Sequence, residues 1–208
     1  MMSDITLIFS DLYQFLFELI NLYDKYFFLI IFIIIFSETG LVIFPFLPGD
    51  SLLFLSGVIS GLGMFDINFY VVVCIFAAVL GNQTNFFIGR LFGKKMMNEN
   101  LFSRYIKKSH LEKTSNFFNK HGKFSIILAR FIPIIRTYIP FLAGIGLMDK
   151  KIFFVYNVIG ALLWVLTLSY LGFFFGDSDV VKNNLGLVTL LIIILSLLPL
   201  IKFLKKTT

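Results

Sequence analysis

Two apolar stretches that contain both proline and charge decide the fold: residues 37–50 read SETGLVIFPFLPGD, and residues 129–140 read ARFIPIIRTYIP. The first stretch carries the acids Glu38 and Asp50, and the second carries Arg130 and Arg136. A charged side chain at the centre of a bilayer costs about 2.5–3.5 kcal/mol on the mildest scale, so four isolated charges would cost about 10 kcal/mol. We therefore expect these side chains to contact one another, water or a charged substrate.

The composition places these stretches in a membrane. Of the 208 residues, 58% are hydrophobic and 14% are charged, which is typical of an integral membrane protein and excludes an ordinary soluble domain. Nine of the 18 Lys and Arg residues lie between Arg90 and Lys123, and such a cluster indicates a cytoplasmic segment. The single cysteine, Cys74, excludes an internal disulfide and a cysteine metal cluster. The two histidines lack ligand-like spacing, so we expect neither a metal nor a cofactor.

A first re-entrant hairpin is predicted after residues 26–44, which are apolar enough to enter the bilayer. Pro45, Pro48 and Gly49 then predict a helix break. The following arm, residues 51–60, would be about 15 Å long as a helix, which is about half of the ~30 Å hydrocarbon core. So short an arm predicts a hairpin that returns to the side from which it entered.

A second re-entrant hairpin is predicted over residues 124–148. Its predicted breaks are Pro133 and Pro140, and the arms around them are again too short for two spans. Irregular backbone at membrane depth is tolerated only where it is buried in protein or lines a wet cavity. Both hairpins are therefore expected to lie inside the protein.

Full spans are predicted over residues 69–88, 152–175 and 185–204. Residues 4–24 carry an apolar stripe opposite an acidic one, which favours an amphipathic interfacial helix; a first span is the alternative. Residues 94–123 predict a basic amphipathic helix on the cytoplasmic surface, where anionic headgroups bind at about 1 kcal/mol per Lys or Arg. Nucleic-acid binding is a much weaker explanation of that basic segment.

The order of these elements indicates a duplication. Each half has an interfacial helix, a re-entrant hairpin and a full span, and the two hairpins enter from opposite sides. We therefore predict an all-α polytopic membrane protein that forms a single domain over residues 1–208. It would contain an inverted repeat, about 1–93 and about 94–176, followed by a C-terminal transmembrane helix, about 185–204. Secondary transporters have this architecture, with substrate bound where the helix breaks meet.

At these residues the sequence resembles the DedA family, the bacterial branch of the SNARE-associated or VTT-domain proteins. The motifs that carry the resemblance are Glu38-Thr39-Gly40, Phe46 to Leu53, Gly81 to Gly93, His121-Gly122-Lys123, Arg130 to Pro133, Arg136-Thr137, Ala143-Gly144, and Asn157 with Gly160-Ala161 and Trp164. They extend over residues 25–175. The resemblance implies an inner-membrane transporter needed for envelope integrity, which moves lipid carriers such as undecaprenyl phosphate across the bilayer.

The resemblance also assigns roles, because the family's functional acids fall on Glu38 and Asp50 and its arginines on Arg130 and Arg136. The leading hypothesis is that the arginines hold a lipid phosphate through bidentate hydrogen bonds. Carboxyl groups removed from water favour their protonated form, so the two acids are expected to exchange protons and couple transport to the proton gradient.

Two positions depart from the family pattern. Asn82 follows Gly81 where the family often has an acid, which removes a titratable site. Ile134 follows Pro133 where glycine is usual, which makes the arginine hairpin bulkier. Asn82 and Asn157, polar residues within the predicted spans, are candidates for lining a pore.

Several alternatives stay open. The acids and arginines would form a buried ionic lock if they were purely structural, although such pairs often add no stability relative to apolar packing. Proton-coupled export of small cations or amphiphilic drugs is the second transport hypothesis. A lipid phosphatase is disfavoured because neither hairpin has a nearby histidine, and Ser51 and Thr137 have no evident base. We expect no enzyme; the expected partners are membrane lipids, and a homo-oligomer is one option.

Overall fold

The computed structural model describes residues 2–41, 49–98, 123–132 and 135–175, and all regular secondary structure in these ranges is α-helix. The helices described are α1 (Met2–Gly40), α2 (Gly49–Gly61), α3 (Ile67–Asn98), α4 (Phe124–Ala129), α5 (Ile135–Ile145) and α6 (Lys150–Phe175). Two segments of these ranges, Ile67–Phe92 and Lys150–Phe175, are long and apolar enough to cross a membrane. The all-α prediction is confirmed, and both segments coincide with predicted spans.

Helix α1 runs without a break from Met2 to Gly40. The predicted separation of an interfacial helix over residues 4–24 from a second helix that starts at residue 26 is therefore wrong. The sequence has no glycine or proline between Met2 and Gly40, so it holds no signal that would end the helix. The amphipathic pattern persists within the continuous helix, because Leu16 and Leu19 are buried while Glu18 is exposed.

Helix α2 contains the predicted short arm of residues 51–60 and begins at Gly49. Pro45 and Pro48 lie outside the described residues. All residues of α2 except its last are buried, so this segment packs against protein on every face. Its re-entrant course in a membrane stays a prediction.

Helix α5 continues through Pro140, which lies inside it, so the predicted break at this proline is wrong. Proline removes only the hydrogen bond to the carbonyl of Arg136, one turn earlier. The rest of α5 packs closely on α3 around Gly144, and this packing outweighs the lost bond. The other predicted break, Pro133, lies outside the described residues.

Helices α2 and α5 end with the same backbone turn. In α2, Gly63 has φ 84° and its N–H donates to Ser60 O at 2.9 Å. In α5, Leu147 has φ 55° and its N–H donates to Gly144 O at 3.0 Å. A left-handed residue after a helix is usually glycine, so α5 keeps this cap with a residue that is strained there.

Helix α6 begins with a side-chain cap. The carboxylate of Asp149 accepts hydrogen bonds from Ile152 N–H at 3.0 Å and from Lys151 N–H at 2.9 Å. These bonds to the ionised form lower the pKa of Asp149. The cap fixes the start of α6 at Lys150, two residues before the predicted start of the span over residues 152–175.

The chain divides into two compact units. Unit 1 consists of Met1–Ile34, Leu47–Phe76 and Leu163–Thr208, and unit 2 consists of Ile35–Phe46 and Ala77–Leu162. Each unit combines segments from both predicted repeats, so the units are not the repeats. The duplication itself stays a prediction. Of the predicted basic helix over residues 94–123, residues 94–98 continue α3 and residues 99–122 lie outside the described residues. The predicted C-terminal helix over residues 185–204 also lies outside them.

In unit 1, α2 packs against α6 at glycines. A Cβ on Gly61 would lie 2.7 Å from Phe173 O, and one on Gly57 would meet Phe173 N at 3.0 Å and Ser169 O still closer. Real side chains do not approach backbone so closely, so the two helix backbones are in contact. Aromatic rings pack beside them, namely Phe27, Phe28, Phe65, Phe69 and Tyr70.

In unit 2, α5 packs against α3 in the same way. A Cβ on Gly144 would lie 2.7 Å from Arg90 N, and one on Gly89 would lie 3.0 Å from Phe141 Cα. Phe86 and Phe153 stack with ring centroids 4.2 Å apart and form the centre of the core. The surrounding buried side chains are Ile126, Ala129, Ile139 and Ala143.

Large apolar side chains cover the outside of the long helices. Side chains at least 40% exposed occur along both predicted spans, including Phe69, Phe76, Leu80, Phe87, Phe154, Leu163 and Phe174. Soluble proteins rarely expose apolar surface on this scale, whereas a bilayer would cover it. The exposed surface thus agrees with the composition.

Candidate functional site

The first part of the site is a buried ion pair in unit 2. Glu38 lies near the end of α1 and is fully buried, and Arg136 is the second residue of α5 and is 4% exposed. Arg136 Nη2 donates a hydrogen bond to Glu38 Oε1. Charges buried to this degree are tolerated when they are paired, and this pair joins the two predicted broken stretches.

Polar groups of α3 position the ion pair. The Asn85 amide nitrogen donates to Thr137 O at 2.7 Å and to Thr39 O at 3.3 Å, and these carbonyls belong to the residues that follow the arginine and the acid. Gly81 allows α1 and α3 to approach, because a Cβ on it would lie 2.8 Å from Phe36 O. Asn85 was not among the predicted site residues, although an amide within an apolar run was a usable signal.

The second part of the site is Arg130, which directly follows α4 and is 2% exposed. Its Nη2 lies 3.1 Å from Ala78 O and 2.5 Å from Asn157 Oδ1. The amide of Asn82 is oriented so that its oxygen and its nitrogen both find hydrogen-bond partners. In this orientation its oxygen lies 3.0 Å from the same Nη2. All three acceptors are neutral, and no carboxylate in the described part of unit 2 forms an ion pair with Arg130.

The two asparagines are themselves fixed. The Asn157 amide nitrogen donates to Val79 O at 3.0 Å, and the Asn82 amide nitrogen donates to Thr39 O at 3.2 Å. Each amide therefore turns its nitrogen to a backbone carbonyl and its oxygen to Arg130. Both residues are buried, and their predicted role in lining a pore stays a prediction.

Within the described residues, the Arg130 guanidinium makes its hydrogen bonds through Nη2. Its Nε is buried without a partner among these residues. Gly160 of α6 lies beside Nε, since a Cβ there would be 3.0 Å from Arg130 Cδ and 3.2 Å from Nε. Any larger residue at 160 would press on the guanidinium.

The remaining acid, Asp50, lies in unit 1. It is the second residue of α2, is 7% exposed, and its Oδ1 accepts a hydrogen bond of 2.7 Å from Trp164 Nε1. Trp164 is almost fully buried in α6. The resemblance motif contained Trp164, but its contact with Asp50 had no local signal because 114 residues separate them.

The four predicted charges thus fall into different environments. Glu38 and Arg136 form one pair of the hypothetical ionic lock, Arg130 is held by neutral oxygens, and the carboxylate of Asp50 accepts from a neutral indole. Within the described residues, no three metal-ligating side chains cluster. Among the described contacts, the guanidinium of Arg136 is therefore paired with a carboxylate, whereas the described partners of the Arg130 guanidinium are neutral.

Comparisons with known proteins follow the same motifs. The family described as VTT domain matches residues 47–174. Protein DedA of Escherichia coli K12 is 50% identical over 184 residues, which is 88% of this chain and 84% of that protein. Uncharacterized membrane protein Rv0364 of Mycobacterium tuberculosis H37Rv is 41% identical over 81% of this chain and 74% of its own length. Inner membrane protein YqjA of Escherichia coli K12 is 34% identical over 73% of this chain and 68% of its own length. No solved structure matches.

Proposed function

The chain belongs to the DedA family of VTT-domain membrane proteins, and from that premise we propose that it transports a lipid phosphate, such as undecaprenyl phosphate, across the bacterial inner membrane. The observation that carries the proposal is the buried guanidinium of Arg130, whose described partners are all neutral. A buried charge without a counter-ion is costly, and an anionic substrate would remove that cost. A phosphate fits best because its oxygens match the planar fork of arginine.

Arg136 supplies the second guanidinium in this mechanism. Its charge is held by Glu38, so it becomes available only when that carboxylate takes up a proton. Protonation of Glu38 and binding of phosphate to Arg136 would then favour one another, which couples substrate binding to protons. Asp50, which accepts a hydrogen bond from Trp164, is the second acid for proton exchange.

The proposed location is the inner membrane, with several spans and the basic segment over residues 94–123 at the cytoplasmic side. The charge asymmetry of the sequence supports this orientation, and the match to an inner membrane protein of Escherichia coli supports the compartment. Single cysteines introduced into a Cys74→Ala background test it by labelling. Labelling of position 108 from outside intact cells would contradict the proposed orientation.

The direct test of function is translocation by the purified protein in vesicles. A fluorescent isoprenyl phosphate is added to one leaflet, and its appearance in the other is followed with and without a pH gradient. We expect translocation above that of protein-free vesicles, and an increase when the gradient is imposed. Faster flux of a small organic cation with no movement of the phosphate would favour the cation-export hypothesis instead.

Arg130→Lys and Arg90→Lys form the matched pair for this assay. Lysine keeps the charge at 130 and removes the fork, so we expect translocation to fall about tenfold or more. Arg90 of α3 also binds a neutral group, since its Nη1 donates to Met148 O at 2.7 Å just after α5, but it has no assigned role in binding. Arg90→Lys should translocate the phosphate at the wild-type rate. An equal loss of translocation in both variants would indicate a general effect on folding rather than a loss of phosphate binding.

A further inference from the structure

We infer that an open groove between α3 and α6 binds one anionic phospholipid of the phosphatidylglycerol class through Lys150 and Lys151. The groove lies in unit 2 and has a volume of about 410 Å³. The described residues that line it are Gln83, Phe87, Lys150, Lys151, Phe154 and Val155. Arg130 is not one of these lining residues, so the site is separate from the one proposed for transport and does not depend on that proposal.

The walls of the groove are apolar and lie within segments that can cross a membrane. Phe87 belongs to Ile67–Phe92, and Phe154 and Val155 belong to Lys150–Phe175. These three side chains are 40%, 49% and 50% exposed. In a bilayer, acyl chains cover apolar surface of this kind. The walls therefore favour a lipid over a water-soluble ligand.

The two lysines lie at the mouth of the groove, at the start of α6. Both are exposed, and Lys150 Nζ lies 5.6 Å from the centroid of the Phe87 ring, a cation–π distance that holds the ammonium group against the apolar wall. Phe154 follows Lys150 by one helical turn, which places it about 6 Å further along the helix axis. An amphipathic ligand with its charge at the lysines and its chain along the wall matches this arrangement.

The charge at the mouth selects among lipids. None of the described lining residues is acidic. The neighbouring acid, Asp149, accepts hydrogen bonds from the N–H groups of Lys151 and Ile152, and the charge of Arg90 also acts on it. Positive charges therefore outnumber the acid at this end of α6, and basic pockets between helices bind the headgroups of anionic lipids. A zwitterionic headgroup carries its own ammonium group, which the lysines repel.

A second copy of this chain is the other candidate occupant of an exposed apolar face. In a symmetric dimer formed through this groove, the lysine pairs of both chains would lie in the same interface. Like charges placed together across an interface are unfavourable. A phospholipid instead brings the negative charge that the lysines lack, and so fits the groove better.

The test compares lipids and variants by native mass spectrometry of the purified protein. Wild type in detergent is titrated with an equimolar mixture of dioleoyl phosphatidylglycerol and dioleoyl phosphatidylethanolamine, which differ only in the headgroup. We expect Lys150→Gln/Lys151→Gln to hold one phosphatidylglycerol fewer than the wild type, because each lost lysine weakens the site about fivefold and both together about thirtyfold. Phosphatidylethanolamine should bind weakly to both proteins.

Two matched controls separate the groove from general surface effects. Lys123→Gln removes an exposed lysine directly before α4 and is the control for Lys150→Gln. Phe76→Ala removes a ring of α3 that is 61% exposed and does not line the groove, and it is the control for Phe154→Ala. Both groove variants should lose phosphatidylglycerol while both controls retain it, and Lys150→Arg/Lys151→Arg should retain it because the charge is kept. Equal losses in each variant and its control would overturn the inference.

Unfolding temperature guards against a folding artefact. In lipid-free detergent, Lys150→Gln/Lys151→Gln should unfold as the wild type does, since both lysines are exposed. Added phosphatidylglycerol should then raise the unfolding temperature of the wild type more than that of the variant. Equal shifts with phosphatidylglycerol and phosphatidylethanolamine would overturn the inference.

Two further outcomes concern the identity of the occupant. A wild-type dimer that dissociates in Phe154→Ala without loss of lipid would place a second chain in the groove and overturn the inference. Displacement of phosphatidylglycerol by an equimolar isoprenyl phosphate would overturn the assignment to a phospholipid. Retention of phosphatidylglycerol at the groove together with absent translocation in vesicles would support the inference and reject the transport proposal.

Discussion

Helix α2 in unit 1 and helix α5 in unit 2 are built alike, yet they carry opposite charges at the same place. Each is short, packs on a longer helix at glycines, and ends in a left-handed residue. The second residue of α2 is Asp50, and the second residue of α5 is Arg136. A helix N-terminus attracts negative charge and repels positive charge, so the two positions are electrostatically unequal.

This difference explains the partners that the two residues have. The start of α2 stabilises the negative charge of Asp50, and a hydrogen bond from the neutral indole of Trp164 stabilises it further. Arg136 is disfavoured by the start of its helix and is paired with a full negative charge, Glu38. The ion pair therefore offsets an unfavourable helix position at Arg136, whereas the start of α2 favours the charge of Asp50.

The largest effect is expected when this ion pair is broken. Glu38→Gln leaves Arg136 buried at a helix N-terminus, and the free energy of unfolding should fall by about 3–5 kcal/mol. Denaturant unfolding in detergent measures this, and adding hexyl phosphate should recover part of the loss, because the anion replaces the carboxylate. The double variant Glu38→Gln/Arg136→Met removes both charges and should be more stable than Glu38→Gln alone; if it is not, the pair does not correct the helix charge.

A smaller effect is expected at the corresponding contact in unit 1. Trp164→Phe keeps an aromatic ring and removes the N–H donor to Asp50, which should cost about 1.5–3 kcal/mol. Because the helix start still stabilises the acid, the cost should stay below that of Glu38→Gln. In an Asp50→Asn background, Trp164→Phe should lower the free energy of unfolding by less. A larger destabilisation by Trp164→Phe than by Glu38→Gln would contradict the proposed difference between the two helix starts.

The glycine contacts should respond equally in both units. Gly57→Ala presses on Ser169 O of α6, and Gly144→Ala presses on Arg90 N of α3. Overpacking of this kind costs about 1–3 kcal/mol, and neither site involves charge. Thermal unfolding of the two variants should give similar losses; a marked inequality would mean that one short helix can shift on its partner and the other cannot.

The smallest effect is expected at the two left-handed caps. Leu147→Gly removes the strain of a positive φ from the end of α5 and should stabilise by up to about 1 kcal/mol. Gly63→Ala introduces that strain at the end of α2, where a Cβ would meet no other atom, and should destabilise by about 1–2 kcal/mol. The shifts in unfolding temperature should therefore have opposite signs in the two variants. Shifts of the same sign would show that side-chain contacts outweigh the backbone strain.

The sequence predicted the parts of this structure that local pattern controls. Apolar length predicted the segments that form parts of α3 and α6, and the predicted arm over residues 51–60 lies within α2. Gly49 was predicted as part of the break, whereas it is the first residue of α2. The continuity of α1 and the passage of α5 through Pro140 were missed, because interfacial placement and proline breaks are tendencies that tertiary packing can override. Glu38 and Arg136 were expected to require partners, but 98 residues separate them, and pattern alone did not decide which charges would pair.

The neutral environment of Arg130 was the least predictable feature of the site. Asn82 and Asn157 were recognised as polar residues in apolar helices, which marks function, but their orientation depends on carbonyls of Thr39 and Val79 that only the folded chain brings near. Gly160 likewise carries no local sign that it makes room for a guanidinium. The sequence showed that these charged residues need partners, whereas the identity of each partner depends on contacts that form only in the folded chain.

The hydrogen bond between Trp164 and Asp50 also gives this protein a built-in optical probe. Trp164 is the only tryptophan of the chain, so all indole emission comes from the contact between α2 and α6. An excited indole is sensitive to whether its N–H faces an ionised or a neutral carboxyl. The fluorescence of the unlabelled protein should therefore report a change in the protonation of Asp50, with no dye and no added reporter group, and so tests the proposed proton exchange at this residue.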